Sequence, residues 1–204
     1  MYLITTPWWL RFLYPLLTWQ IKTDEKIIYL TFDDGPHEVA TPFVLNILKK
    51  YNAKATFFCI GKNVQLHPDI YTTIIEEGHS VGNHTFNHLN GWKVSDEIYF
   101  NDIKKAADVI QSSLFRPPYG RIKKSQTKIL KTNYNIIMWS VLSGDFDIKI
   151  SPEKCLNNVI SNIKNGSVVV FHDSAKAMER LEFALPKTLE YFSNKGYVFK
   201  SIQM

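Results

Sequence analysis

Asp33, Asp34, His84, His88, Arg116 and His172 are the residues whose types and spacing suit chemistry. They fall in four short stretches: Thr31-Phe32-Asp33-Asp34-Gly35-Pro36, His84-Thr85-Phe86-Asn87-His88, Arg116-Pro117-Pro118-Tyr119 and Phe171-His172-Asp173. Together they supply three metal ligands, a spare carboxylate, a spare imidazole and a spare guanidinium. That set can activate a water and attack a carbonyl.

Each piece also has a plainer reading. An i,i+4 pair such as His84 and His88 brings two imidazoles to one side of a helix or tight loop, within reach of one metal. Alone, such a pair is more often two surface histidines. Adjacent carboxylates before Gly-Pro commonly cap a turn or the next helix. Beside the histidine pair they can divide the work, because successive side chains diverge: Asp34 ligates and Asp33 faces the water next to the metal. Two imidazoles and one carboxylate leave positions open for water and substrate. Zinc can lower a water pKa to roughly 7, and a nearby carboxylate can take the proton.

Arg116 is either a surface ion-pair partner or the group that keeps Asp33 ionised and oriented. Pro117 and Pro118 fix the backbone there, and the Tyr119 N–H is a candidate oxyanion donor. His172 ends the apolar run Val168–Phe171. It is either a histidine at the end of a buried strand or a general acid for a leaving amine, with its pKa raised by a carboxylate such as Asp145.

These residues need elements to bring them together. Seven strand candidates, 26–32, 54–60, 79–83, 114–116, 134–140, 167–172 and 197–202, are short and mostly rich in Ile, Val, Phe and Tyr. Helical faces lie between them. Phe43, Val44, Ile47 and Leu48 form one, Ile103, Ala106, Ala107 and Ile110 a second, and Met178, Leu181, Leu185, Leu189 and Phe192 a third. Strands and helices in alternation predict parallel strands covered by helices. About seven such units fit an α/β barrel slightly smaller than the eight-stranded one. Each polar cluster lies at or just beyond the C-terminal end of an apolar run, the face of such barrels that carries chemistry.

The 204 residues suit one domain. With 45% apolar, 21% charged and 14% aromatic residues, the composition is that of an ordinary globular protein. The net charge is +5, but the Lys and Arg residues are dispersed, which argues against a nucleic-acid stripe. Cys59 and Cys155 have no disulfide or metal spacing and read as buried thiols.

Residues 1–25 stand apart from the domain expected over 26–204. The run Thr6–Trp19 is aromatic and apolar, but Arg11 and Pro15 interrupt it and it is too short to span a bilayer. It lacks the basic start and small-residue end of a cleavable signal, which leaves the compartment open between envelope-facing and cytoplasmic. It either packs under the domain and closes its bottom, the preferred expectation, or forms an interfacial anchor with Trp8, Trp9 and Trp19 at head-group level. The second reading makes peripheral membrane contact a candidate partner interaction.

From Lys26 to Ile202 the motif set resembles the NodB-type polysaccharide deacetylases, carbohydrate esterase family 4. Residues 31–36 resemble the first motif, 84–88 the second and 116–119 the third. Residues 54–61 resemble a family core strand, and Val170-Phe171-His172 the last motif. The resemblance implies a distorted (β/α)7 barrel. It implies Asp33 as base, Asp34, His84 and His88 as metal ligands, Arg116 as the residue orienting the base, and His172 as catalytic acid. It also implies a groove walled by the third motif, where Pro118 and Tyr119 lie. The fourth motif departs from the pattern. Leu142 stands where the family has its first Asp and Phe146 where it has Trp, while Asp145 remains to tune His172. That change bears on the groove wall and substrate.

The expected activity is metal-dependent removal of N-acetyl groups from N-acetylglucosamine-type residues of a polysaccharide such as peptidoglycan, a chitin-like polymer or an exopolysaccharide. The metal is one divalent ion, zinc by preference, with cobalt, nickel or manganese as alternatives. Alternative activities are O-deacetylation of a polymer such as xylan, and deformylation or deacetylation of a lipid-linked sugar. A rival of another class is a non-catalytic carbohydrate-binding barrel, which would need neither base nor acid.

Overall fold

The computed structural model describes residues 2–203, and its sheet is organised around β1 (Ile27–Asp33). Along the chain follow α2 (Ala40–Lys50), β2 (Thr56–Cys59), α3 (Gly61–Leu66), α4 (Pro68–Glu76), β3 (Ser80–Asn83), α5 (Asp96–Ala107) and β4 (Leu114–Phe115). Then come α6 (Lys124–Leu130), β5 (Asn135–Ile136), β6 (Val141–Leu142), α7 (Pro152–Ile160), β7 (Ser167–His172), α8 (Met178–Ser193) and β8 (Val198–Phe199). A short helix, α1 (Trp8–Leu13), precedes them all.

The strands run in the order β5-β4-β3-β2-β1-β7-β6, and β8 pairs with the start of β1. Every ladder between them is parallel. This curled parallel sheet with its helices is a distorted (β/α)7 barrel. Alternation along β1 explains its two faces. Leu30 and Phe32 point to the helix layer, where Phe32 stacks on Phe57 at 5.1 Å and on Phe171 at 6.2 Å between centroids. Thr31 and Asp33 point the other way, into the barrel.

The helix faces read from sequence are the buried ones. Val44, Ile47 and Leu48 of α2 and Leu181, Leu185, Leu189 and Phe192 of α8 enter one core cluster. Beneath the mouth of the barrel, Phe58, Leu114, Ile137, Val168 and Ile202 form a second cluster. Cys59 and Cys155 are free and buried.

The expected strand over 134–140 is broken. Only Asn135 and Ile136 pair with β4, and the next strand begins at Val141. Arg116 accounts for the break. Its Nε donates to the Ile137 carbonyl at 3.1 Å and its Nη2 to the Met138 carbonyl at 3.0 Å. These carbonyls turn toward a buried cation instead of a neighbouring strand.

The N-terminal segment occupies the seam left between β5 and β6. Thr5 bridges Val141 antiparallel and Thr18 bridges Ile137 in parallel. Thr18 N–H donates to Ile136 and the Thr18 carbonyl accepts from Met138 N–H. Gln20 and Ile21 then cross the start of β7. The segment lies along the side of the barrel more than under it. Trp19, expected at head-group level in the anchor reading, is buried with Leu17, whereas Trp8 and Trp9 are exposed.

Candidate active site

The register of the sheet sets the geometry. Asp33 and His172 are paired residues at the C-terminal ends of the adjacent strands β1 and β7. His84 directly follows β3, with its N–H bonded to the Cys59 carbonyl at the end of β2. Arg116 directly follows β4, with its N–H bonded to the Asn83 carbonyl. Residues distant in sequence therefore meet at one end of the barrel.

Asp34, His84 and His88 each turn one ligand atom to a common point, with all three atoms within 4.8 Å of one another. Asp34 Oδ1 lies 3.2 Å from His88 Nε2 and 3.7 Å from His84 Nε2. Tetrahedral zinc with bonds of 2.0–2.2 Å spaces its ligands about 3.4 Å apart. Asp34 Oδ1 is also buried without a hydrogen-bond partner, which is unusual for a buried carboxylate oxygen. The triad thus fits a divalent cation.

Tautomers and charges agree with this. His84 Nδ1 lies 2.7 Å from the Arg116 carbonyl, which can only accept, so Nδ1 carries the proton and Nε2 keeps its lone pair. Burial pushes the His84 pKa down to about 4, keeping the ring neutral. Burial alone would raise the Asp34 pKa, but the 3.2 Å contact with His88 and the charge of His172 hold it well below the usual carboxylate range. His88 Nδ1 is 3.1 Å from the Tyr119 hydroxyl.

Asp33 is buried and bonded to Arg116 Nη1 at 2.6 Å. Arg116 is fully buried. Its Nη1 also donates to Thr31 Oγ1 at 2.7 Å, and its guanidinium lies 4.0 Å from the centroid of Phe58. With its remaining donors on the Ile137 and Met138 carbonyls, it is a rigid clamp on Asp33.

His172 is clamped likewise. Asp145 Oδ1 is 2.7 Å from its Nδ1, and Asp145 Oδ2 accepts from its backbone N–H at 2.7 Å. Nε2 is left toward the cleft. Burial opposes a charged ring, yet the charge and hydrogen bond of Asp145, with the charges of Asp34 and Asp33, lift the His172 pKa to about 9. Phe146 packs edge-on against His172 at 5.1 Å.

Strain marks the same place. Asp34, Thr85, His88 and Tyr119 are four of the five non-glycine residues with positive φ among the described residues, and all four line or flank this site. Backbone so held needs support from its surroundings. Asp102 on α5 provides some, accepting from Phe86 N–H and Asn87 N–H at 2.9 Å each and from Asn87 Nδ2 at 2.5 Å. Asn83 Oδ1 accepts from Thr85 N–H at 2.8 Å. Asn63 Nδ2 donates to the Asp34 carbonyl at 2.7 Å.

Asp173, fully buried, accepts from Gly35 N–H and bonds Thr41, and burial pushes its pKa up to about 8. A Cβ on Gly35 would come within 2.0 Å of Asp173 Oδ2, so only glycine fits there. Sequence reasoning missed Asp102, Asp173, Asn83 and Asn63 as site supports. A signal existed for Asp102, an acid on the buried face of α5 between Tyr99 and Ile103.

Asp33, Asp34, His84, His88, Tyr119, Phe146 and His172 line one cleft of about 870 Å³. Leu142, Trp139 and Tyr2 complete its apolar wall, and Lys93, Arg121 and Lys176 its rim. Arg116 and Asp145 stand behind that lining. Pro118 is buried behind it too, so its influence passes through the backbone of the turn that carries Tyr119.

Comparisons agree with this architecture. The family model described as polysaccharide deacetylase matches residues 20–135. A peptidoglycan-N-acetylglucosamine deacetylase of Bacillus cereus is 39% identical over 193 residues, 91% of this chain and 91% of that protein. A chitooligosaccharide deacetylase of Azorhizobium caulinodans is 33% identical over 162 residues, 76% of this chain and 77% of that protein. The crystal structure of the Bc1960 peptidoglycan N-acetylglucosamine deacetylase superposes with a TM-score of 0.89 at 33% identity, over 97% of this chain and 95% of that one.

Proposed function

Since this chain belongs to the polysaccharide deacetylase family, we propose that it hydrolyses the N-acetyl group of N-acetylglucosamine-type residues in a polymer, most closely a peptidoglycan strand. The observation that carries this reading is one cleft uniting a three-ligand cation site, a clamped carboxylate and a clamped imidazole. A sugar-binding barrel would need none of the three.

Residues 26–204 carry the reaction and residues 1–25 close the barrel. Asp34, His84 and His88 would hold one divalent ion, zinc by preference, which when bound would polarise the acetyl carbonyl and acidify a water. Asp33, fixed by Arg116, takes the proton from the attacking water. The Tyr119 N–H faces the developing oxyanion. His172 Nε2 delivers a proton to the departing amine while Asp145 steadies the resulting positions. Phe146 and Leu142 shape the wall against the sugar.

The rim points to the polymer. Lys93, Arg121 and Lys176 line the cleft, while its lining carboxylates, Asp33 and Asp34, are engaged by Arg116 and the histidines. A carboxylate-bearing strand such as peptidoglycan is attracted to such a rim more than neutral chitin or xylan. Acetate release from peptidoglycan, chitin oligomers and acetylated xylan, with the metal-stripped and zinc-reloaded enzyme, tests the proposal. It expects zinc-dependent release, greatest from peptidoglycan. Release only from xylan esters would replace amide hydrolysis with ester hydrolysis, and no release from any of them would restore the binding-module reading.

A further inference from the structure

Among the described residues, 2–16 expose six large apolar side chains: Leu3, Trp8, Trp9, Phe12, Leu13 and Leu16, with Trp8 and Phe12 each 79% exposed. Helix α1 buries none of its residues. A six-residue helix has little stability of its own, yet this one is pinned at both ends. On one side Thr6 Oγ1 donates to the Trp139 carbonyl at 2.5 Å, and on the other Thr18 joins the β5 seam while Leu17 and Trp19 are buried. The fold therefore holds these apolar groups outward.

Charge identifies what could cover them. Residues 1–23 contain no carboxylate, the first being Asp24, while Arg11 and Lys22 lie within them. Lys124 Nζ sits 5.6 Å from the Tyr14 ring centroid, adding a cation beside the segment. A second copy of the chain would set Arg11 near Arg11 with no acid in the segment to pair with it. Among the described residues no helix is long and apolar enough to cross a membrane.

We propose that this face docks on the surface of an anionic lipid bilayer. Trp8, Trp9, Phe12 and Leu13 enter the boundary between head groups and acyl chains, where tryptophan is favoured. Lys22 and Lys124, both exposed, meet the lipid phosphates, and Arg11, whose Nη1 donates to Gln20 Oε1 at 3.0 Å, adds its charge behind them. Tyr2 lines the catalytic cleft and Leu3 already belongs to the exposed face, so docking holds the cleft mouth beside the head groups. The proposal stands independently of the deacetylase reading, because its test reads lipid binding and not turnover.

Sedimentation of the full chain with vesicles tests it. Wild type is expected to pellet with phosphatidylcholine–phosphatidylglycerol vesicles, less with phosphatidylcholine alone, and less at high salt. The double variant Trp8→Ser/Phe12→Ser should lower partitioning roughly tenfold or more. Thermal unfolding and turnover of a small soluble ester should stay at wild-type values. Trp8→Ser alone repeats the measurement with a milder change. Lys124→Gln should reduce the preference for anionic over neutral vesicles about fivefold. The proposal is overturned if wild type stays in the supernatant, if it binds neutral vesicles equally well, or if the double variant binds as wild type does. It is also overturned if ultracentrifugation without lipid shows a dimer that the double variant dissolves, which would put a second copy on this face.

Discussion

Adjacent residues at the end of β1 have opposite partners, and this separates their expected phenotypes. Asp33 meets a guanidinium, while Asp34 meets two imidazoles. Asp33→Asn should keep zinc, measured by elemental analysis, and lose kcat by roughly a hundredfold or more. Asp34→Ala should lose the zinc. Wild-type turnover by zinc-loaded Asp33→Asn would place the base elsewhere. His172 sets a pH dependence. Its pKa is raised to about 9, and the protonated ring is the donor, so kcat/KM is retained below that value and lost as pH rises through it. Asp145 is the main cause of the rise, so Asp145→Asn should move the alkaline limb down toward the ordinary imidazole value of about 6.5. His172→Ala should harm amide substrates far more than activated aryl esters, whose leaving groups need no proton. Equal losses on both would reduce His172 to an orienting residue. The chemical groups themselves were legible in the sequence, because water activation demands particular side-chain types. Asp173 was not, because it serves the Gly35 N–H and the Thr41 hydroxyl and a carboxylate so satisfied leaves no motif, while Asp102 left only its place on the buried face of α5.

Loops at strand ends carry the ligands, and their supports come from elsewhere in the fold. The stretch His84–His88 is a loop containing two left-handed residues, Thr85 and His88, so the i,i+4 spacing reflects a turned backbone and not a helix. Asp102 reaches it from the buried face of α5 and takes three donors. Asp102→Asn converts part of that acceptor into a donor facing N–H groups. It should weaken zinc binding by roughly tenfold or more, as loss of support around ligands does, while the circular dichroism of the helices persists. Calorimetric titration of the metal-free variant with zinc checks this, and wild-type affinity would dismiss the support role. Each of the seven apolar runs holds a strand, since burial on both faces demands continuous Ile, Val and Phe, but the sheet has eight, and β6 lies just beyond the expected run 134–140. The run 134–140 misled because an apolar run does not reveal that its carbonyls are claimed by Arg116, a contact across 21 and 22 residues of sequence.

Closure of the barrel depends on a segment outside the β/α repeat. Open edges at β5 and β6 would leave unpaired backbone groups, and residues 4–6 and 18 pair with them instead. Composition alone described this segment as aromatic and apolar without saying which tryptophans face inward, because 3.6-residue and two-residue periods both fail across Pro7 and Pro15. The structure divides them. Trp19 is buried in a cluster with Leu17, Tyr99, Phe115 and Met138, and its Nε1 donates to the Tyr14 carbonyl at 3.2 Å. Trp8 is largely in solvent. Truncating a buried tryptophan removes its transfer free energy and leaves a cavity, so Trp19→Ala should cost about 3–5 kcal/mol in denaturant unfolding. Trp8→Ala should stay within about 0.5 kcal/mol of wild type. Because the seam borders Trp139 and the carbonyls that hold Arg116, Trp19→Ala should also loosen the base clamp. Its loss in kcat at a temperature where it remains folded should exceed that of Trp8→Ala. Equal stability of the two variants would mean that the barrel closes without this segment.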